Sequence, residues 1–311
     1  YPLRRQRQMC IRDRFIDGAR VDGDRRTVLH LTCMHGHHDV ASFLIDNKAD
    51  INATNYSGDT PLMLAARYGH SQVVKLLLRS NCTVADETMA PSWSSMHRAC
   101  GAGHVDVAEA LLEAHEEFVN HKDKKGLTPL MAAVSANFSE GAVILMNKGA
   151  NVHERDHEGR SAVFYAAMAG QEKSLRVLLT AHNIQVDQPD SVGETPLMAA
   201  CKSGHESTAR LLLNAQANLE APDDVAPNPL IIAAAAGHEP IVRMLLNNGA
   251  HRRKEKAAEE AMKASKSREG ADVHGALNPT PLTRTDSSMS SGGTERFHKI
   301  IELLKREPMS P

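Results

Sequence analysis

One pattern returns every 33 or 34 residues, and it limits what the chain can fold into more than any other feature. TPLMLAARYGH begins at Thr60, SSMHRACGAGH at Ser94, TPLMAAVSANF at Thr128, SAVFYAAMAGQ at Ser161, TPLMAACKSGH at Thr195 and NPLIIAAAAGH at Asn228, with TVLHLTCMHGH at Thr27 before them. Successive starts lie 33, 34, 34, 33, 34 and 33 residues apart. A unit of this length cannot bury an apolar face by itself. Neighbours must stack, and their shared core then runs the length of the array.

Each unit carries the punctuation of two short helices and a hairpin. Thr accepts a backbone N–H as a helix cap, and Pro at the first helical position lacks a donor that would be orphaned there. Gly36, Gly69, Gly103, Gly170, Gly204 and Gly237 close the first helix, where a positive φ suits glycine. A second apolar stretch follows, such as VVKLLLRS from Val73 or TARLLLNAQANL from Thr208, with pairs like Leu76 and Leu77 on one face. An Asp-x-x-Gly segment then leads to the next unit.

These residues resemble the ankyrin repeat, over roughly Phe15 to Glu307. The resemblance implies an all-α fold, a solenoid of stacked helix-turn-helix units with β-hairpin loops. Seven repeats are expected over 27–253, with motif starts at 27, 60, 94, 128, 161, 195 and 228. Departures are local: Asn137 and Phe138 stand where Gly-His is usual, and Ser161-Ala162-Val163 replaces Thr-Pro-Leu.

The ends read differently. Residues 254–307 are expected to form a capping repeat, with a charged, alanine-rich helix and a second helix in TERFHKIIELLKRE from Thr294. Between them a Ser/Thr/Gly/Pro-rich insertion, about 267–293, is expected to be disordered, and 308–311 is a tail. Within it Thr280-Pro281-Leu282 imitates the repeat motif out of register, and Thr280 is a candidate phosphorylation site. At the other end FIDGARVD, Phe15 to Asp22, matches the close of a preceding repeat, so 15–26 reads as the remainder of a truncated unit. RRQRQMCIRDR, Arg4 to Arg14, has no apolar rhythm. Back-translated, it resembles a transposase sequencing adapter read in frame, so residues 1–14 are set aside as non-native and more repeat sequence is expected upstream.

Composition narrows the function. With Lys+Arg 36 against Asp+Glu 38 the chain offers no polyanion-binding balance, so nucleic acid is not an expected partner. No run of eighteen apolar residues and no signal-peptide core occurs, so no membrane span is expected in this segment. The five cysteines form no CxxC pair, which suits free thiols in the cytosol or nucleus. No phosphate loop, Gly-x-Ser-x-Gly or HExxH is present, so no enzyme, cofactor, metal or small-molecule substrate is expected. The 17 histidines follow the repeat rather than a ligand cluster: His30 and His97 hold the fourth motif position and His37, His70, His104, His205 and His238 the eleventh. The family resemblance makes them backbone-bonding groups. Cys33, Cys100 and Cys201 share the seventh position as small apolar fillers.

The resemblance implies a protein-binding scaffold or adaptor that uses the concave face made by hairpin tips and first helices. The alternative is the recognition arm of a larger kinase, ubiquitin ligase or ion channel. Register places Arg26, Asp59, Trp93, Leu127, Arg160, Glu194 and Pro227 at the tips. The fifth and eighth motif positions add Leu31, Met34, Leu64, Arg67, Arg98, Tyr165, Met168, Lys202 and Ile232. Trp93, the one tryptophan, is the expected anchor for a partner, and Arg67 and Arg98 are placed to grip acidic groups. LIDNKADIN, Leu44 to Asn52, also resembles a sequence in which ankyrin asparagines are hydroxylated, with Asn52 as target.

Overall fold

A computed structural model describes residues 22–80, 94–220, 228–250, 254–275 and 291–305. The chain forms two compact units, the first ending at His157 and the second beginning at Glu158. Unit 1 holds α1 (Val28–His35), α2 (His38–Asp46), α3 (Pro61–Tyr68), α4 (Ser71–Arg79), α5 (Ser95–Ala102), α6 (Val105–Ala114), a 3-10 turn (Glu116–Asn120), α7 (Pro129–Ser135) and α8 (Ser139–Asn147). Unit 2 holds α9 (Ala162–Met168), α10 (Glu172–Leu178), α11 (Pro196–Ser203), α12 (Glu206–Asn214), α13 (Pro229–Ala236), α14 (Glu239–Asn247), α15 (Lys254–Gly275) and α16 (Ser291–Lys305).

Every expected motif start is the residue before a first helix. Thr60, Thr128, Thr195, Ser161 and Asn228 each accept the backbone N–H three residues on, at 3.0–3.4 Å. At the other end Gly36, Gly69, Gly103, Gly204 and Gly237 take left-handed φ of 74–82°. Asn137 does the same at φ 59°, which is why an asparagine serves there without a glycine.

First helices stack on first helices, α1 to α3 to α5 to α7 in unit 1 and α9 to α11 to α13 to α15 in unit 2. Second helices stack likewise, and the core lies between the two rows. Leu29, Leu62, Met96 and Leu130 fill it in unit 1, with Leu197, Leu230 and Leu245 among those in unit 2. A lock joins successive layers. His70 Nε2 donates to the Met34 carbonyl and His104 Nε2 to that of Arg67, both at 3.0 Å, while His238 Nε2 reaches Lys202 O at 3.3 Å. Each ring lies against the glycine of the layer before, so that a Cβ on Gly204 would come within 2.5 Å of His238.

Two layers use phenylalanine instead. Phe138 approaches Gly103 and lies against Gly141, and Phe297 of α16 lies against Gly237. Phe297 is 1% exposed, so α16 packs as the second helix of a last pair whose first helix is α15.

The described loops between layers include fingers closed by a few backbone bonds, one of them a turn bond from the glycine, such as Gly58 N to Asn55 O at 3.0 Å. Asn55 N donates to Asp59 O at 3.1 Å, Asp123 N to Leu127 O at 2.9 Å and Asp190 N to Glu194 O at 2.9 Å. Neighbouring fingers share one further bond, such as Tyr56 N to Asp24 O at 3.0 Å. These are hairpin-like turns, and no ladder long enough to count as a strand occurs among the described residues.

The last pair differs from the expected layout. α15 runs to Gly275 and α16 starts at Ser291, so both enter the 267–293 stretch, where Ser267-Arg268-Glu269 continues a helix-favouring charged composition. Residues 216–227 separate the caps Ala215 and Asn228, whereas 249–253 separate Asn248 from α15. On α2, Val40 is 48% and Phe43 62% exposed, although the residues in Val40's register, Val73 and Val107, are at 1% and 0%.

Candidate functional site

The expected tip residues do not all point outward. Asp59 is buried and its carboxylate pairs with the Arg98 guanidinium, 39 residues along the chain. Leu127 is buried as well. The cause is the histidine of the preceding motif. His30 Nε2 donates to Asp59 O at 3.0 Å and His97 Nε2 to Leu127 O at 2.8 Å, which draws the end of each finger down onto the helices. Arg98 is therefore held inside unit 1 rather than offered to an acidic partner.

The same bonds fix the protonation of both rings. Nε2 must carry the proton to donate to a carbonyl, so His30 Nδ1 is left to accept from Thr27 N–H at 3.1 Å. Burial holds both imidazoles below their ordinary pKa, with the carbonyl contact opposing it. Burial likewise pushes the Cys100 and Cys201 thiols up to about 12, so neither is a nucleophile.

Other expected residues are tied to neighbours. Arg26 pairs with Asp24 at 2.7 Å, and Arg160 with Glu158 at 2.6 Å while lying 5.0 Å from the ring centre of Tyr165, itself buried. Leu64 is buried; Leu31, Met34 and Ile232 are half-buried. Arg67 and Met168 are exposed. Asn52 is exposed, with its N–H on Asp50 Oδ1 at 3.0 Å. Trp93, Pro227, Thr280 and the segment 1–21 lie outside the described residues.

Among the described fingers, exposed tips sit three or four residues before the cap. Tyr56 is 73% exposed, with the Arg25 guanidinium 6.0 Å from its ring centre. Val192 is 79% exposed. Its finger is pinned by Asp190 Oδ1, which accepts from Val192 N at 3.0 Å and Glu194 N at 2.8 Å, and by Ser191 N donating to Glu158 O at 2.8 Å. A signal existed in the sequence: the position three before the cap reads Ser57 and Lys125 in unit 1 but Val192 here.

Behind Val192 opens a groove of about 710 Å³ within unit 2, where the expected residues Glu194, Lys202 and Ile232 meet. Its floor is Met198 of α11 with Ile231, Ile232, Ala235 and Ala236 of α13, and its rim holds Glu194, Lys202, and Lys256 and Glu260 of α15. Lys202 Nζ lies 3.3 Å from Glu194, and Lys263 Nζ 2.8 Å from Glu260. No group of His, Cys, Asp and Glu among the described residues could hold a metal ion.

The family model for ankyrin repeats, described as three copies, matches residues 10–88, 84–156, 144–223 and 163–256. The chain belongs to the ankyrin-repeat family. It is similar to a crystal structure of the human ASB11 ankyrin repeat domain, with a TM-score of 0.62 at 22% identity, over 72% of this chain and 98% of that one. Among curated proteins it is 32% identical over 160 residues to E3 ubiquitin-protein ligase XBAT33 of Arabidopsis thaliana, 50% of this chain and 29% of the relative. It is 29% identical over 170 residues to the probable E3 ubiquitin-protein ligase XBOS32 of rice, 45% and 34% of the two, and 25% identical over 194 residues to human Rabankyrin-5, 58% and 16%. The chain thus spans about a third or less of each of these relatives. Ankyrin repeats are protein-interaction modules and are themselves non-catalytic. No helix among the described residues is long and apolar enough to cross a membrane.

Proposed function

We propose that this chain is a scaffold or adaptor of the cytosol or nucleus that holds a protein partner on its finger tips and the exposed side of its first helices. One observation carries the reading. Val192 stands in solvent on a turn fixed by its own hydrogen bonds, at the lip of a groove floored by Ile231, Ile232, Ala235 and Ala236. Arg67, Met168 and Lys202 are the register residues left available to a partner.

The test compares two sets of substitutions in capture experiments from the source organism. Tyr56→Ala, Arg67→Ala and Val192→Asp on the finger and first-helix side should each weaken retention of the same prey. Lys75→Ala and Arg176→Ala on second helices should not. Prey retained equally by all five variants would refute the proposed face.

The ligase names among the relatives favour a second reading, that this array is the recognition arm of a larger ubiquitin ligase. Ubiquitin transfer by the protein encoded in the complete source transcript, and its absence from the 311-residue chain, is the outcome this reading expects.

A further inference from the structure

We infer that the groove of unit 2 is a slot for a short extended peptide of the partner, one with a branched aliphatic residue beside an acidic one. This rests on the adaptor reading and adds the chemistry of the ligand. The floor is apolar and stepped: Ile232, Ala235 and Ala236 share one face of α13 at i, i+3 and i+4, and the two alanines leave the depth that an entering side chain fills. A volume of about 710 Å³ accommodates a few residues rather than a folded surface.

Val192 forms one lip already held in place, so little order is lost when a ligand closes against it. The opposite wall is α15. It contributes Lys256 and Glu260 to the lining.

Charge selects the flank of the ligand. Glu194 is answered by Lys202 and Glu260 by Lys263, whereas Lys256 has no carboxylate partner among the described residues. An incoming carboxylate meets Lys256, the rim cation that no carboxylate among the described residues answers. An incoming lysine or arginine meets Lys256 and finds both rim carboxylates, Glu194 and Glu260, already paired.

The test selects a phage-displayed library of random dodecapeptides against the chain and measures the winners by fluorescence polarisation. Enriched peptides should pair Leu, Ile or Val with a neighbouring Asp or Glu. Val192→Ser and Ile232→Asp should each weaken binding about tenfold, the first at a position too exposed to disturb folding. Lys256→Glu should weaken it comparably, and exchanging the peptide acid for lysine should restore affinity to that variant alone.

The slot is overturned if no peptide enriches, if the winners lack an acid, or if binding survives Val192→Ser together with Lys256→Glu. Peptides that bind yet ignore these substitutions would place recognition elsewhere and leave the adaptor reading standing. That reading fails separately, by the prey pattern described above.

Discussion

Asp59 and Arg98 show how one side chain changes the meaning of a position. Their ion pair is largely shielded from solvent, at 6% and 16% side-chain exposure, so removing either partner strands the other. Asp59→Ala and Arg98→Ala should each cost about 3 kcal/mol in urea denaturation, and the double variant little more than either one. Additive losses would show the pair to be uncoupled. His30 and His97 set a pH limit on the same unit. Their folded pKa values are lowered, chiefly by burial, so the unfolded chain binds these protons first. Stability is therefore full above about pH 6.5 and declines below it towards the folded-state values, by up to about 1.4 kcal/mol per pH unit for each ring. Replacing both with glutamine should flatten urea midpoints between pH 7.5 and 5.5. Sequence register places Asp59 and Leu127 on finger tips, and it misleads there because a buried imidazole from the layer before captures their carbonyls. That is a contact 29 or 30 residues away, which no local pattern displays.

Helix boundaries, by contrast, are written in the sequence. The cap, the proline after it and the residue of left-handed φ at the far end are local chemistry, so all seven first helices begin where the motif begins. The locks between layers need the structure. Gly204 and Gly149 both have positive φ, yet a Cβ would meet His238 at the first and nothing within 4 Å at the second. Gly149→Ala should cost about 1 kcal/mol from backbone conformation alone. Gly204→Ala should cost about 1 kcal/mol beyond that, through the displaced ring and its lost bond to Lys202. In a His238→Ala background the two substitutions should become nearly equal in thermal unfolding, and a persisting gap would deny the lock.

Within each unit, a layer touches its neighbours and little else, so damage should stay where it is made. Phe297→Ala removes a fully buried ring from the lock between α14 and α16, a local loss of about 3–5 kcal/mol. Hydrogen exchange should rise in α13 to α16 and stay unchanged in α1 to α4; a uniform rise would mean the array unfolds as one. The number of layers is legible because the period is strict. The groove is not, since its floor is made by Ile232, Ala235 and Ala236, ordinary residues of a first helix that leave the motif intact.

Phe138 and Gly141 have to be changed together. Three other layers fill the two places with His70 and Val73, His104 and Val107, or His238 and Ile241. A Cβ at Gly141 would collide with the Phe138 ring, so the ring holds the space that those layers give to a side chain. Phe297 sits otherwise: its ring lies against Gly237 and Ile300 follows three residues on, so the exclusion belongs to the way Phe138 is placed and not to phenylalanine as such. A side chain enters at 141 only when the ring at 138 moves or is replaced, which makes the two positions a single unit of substitution.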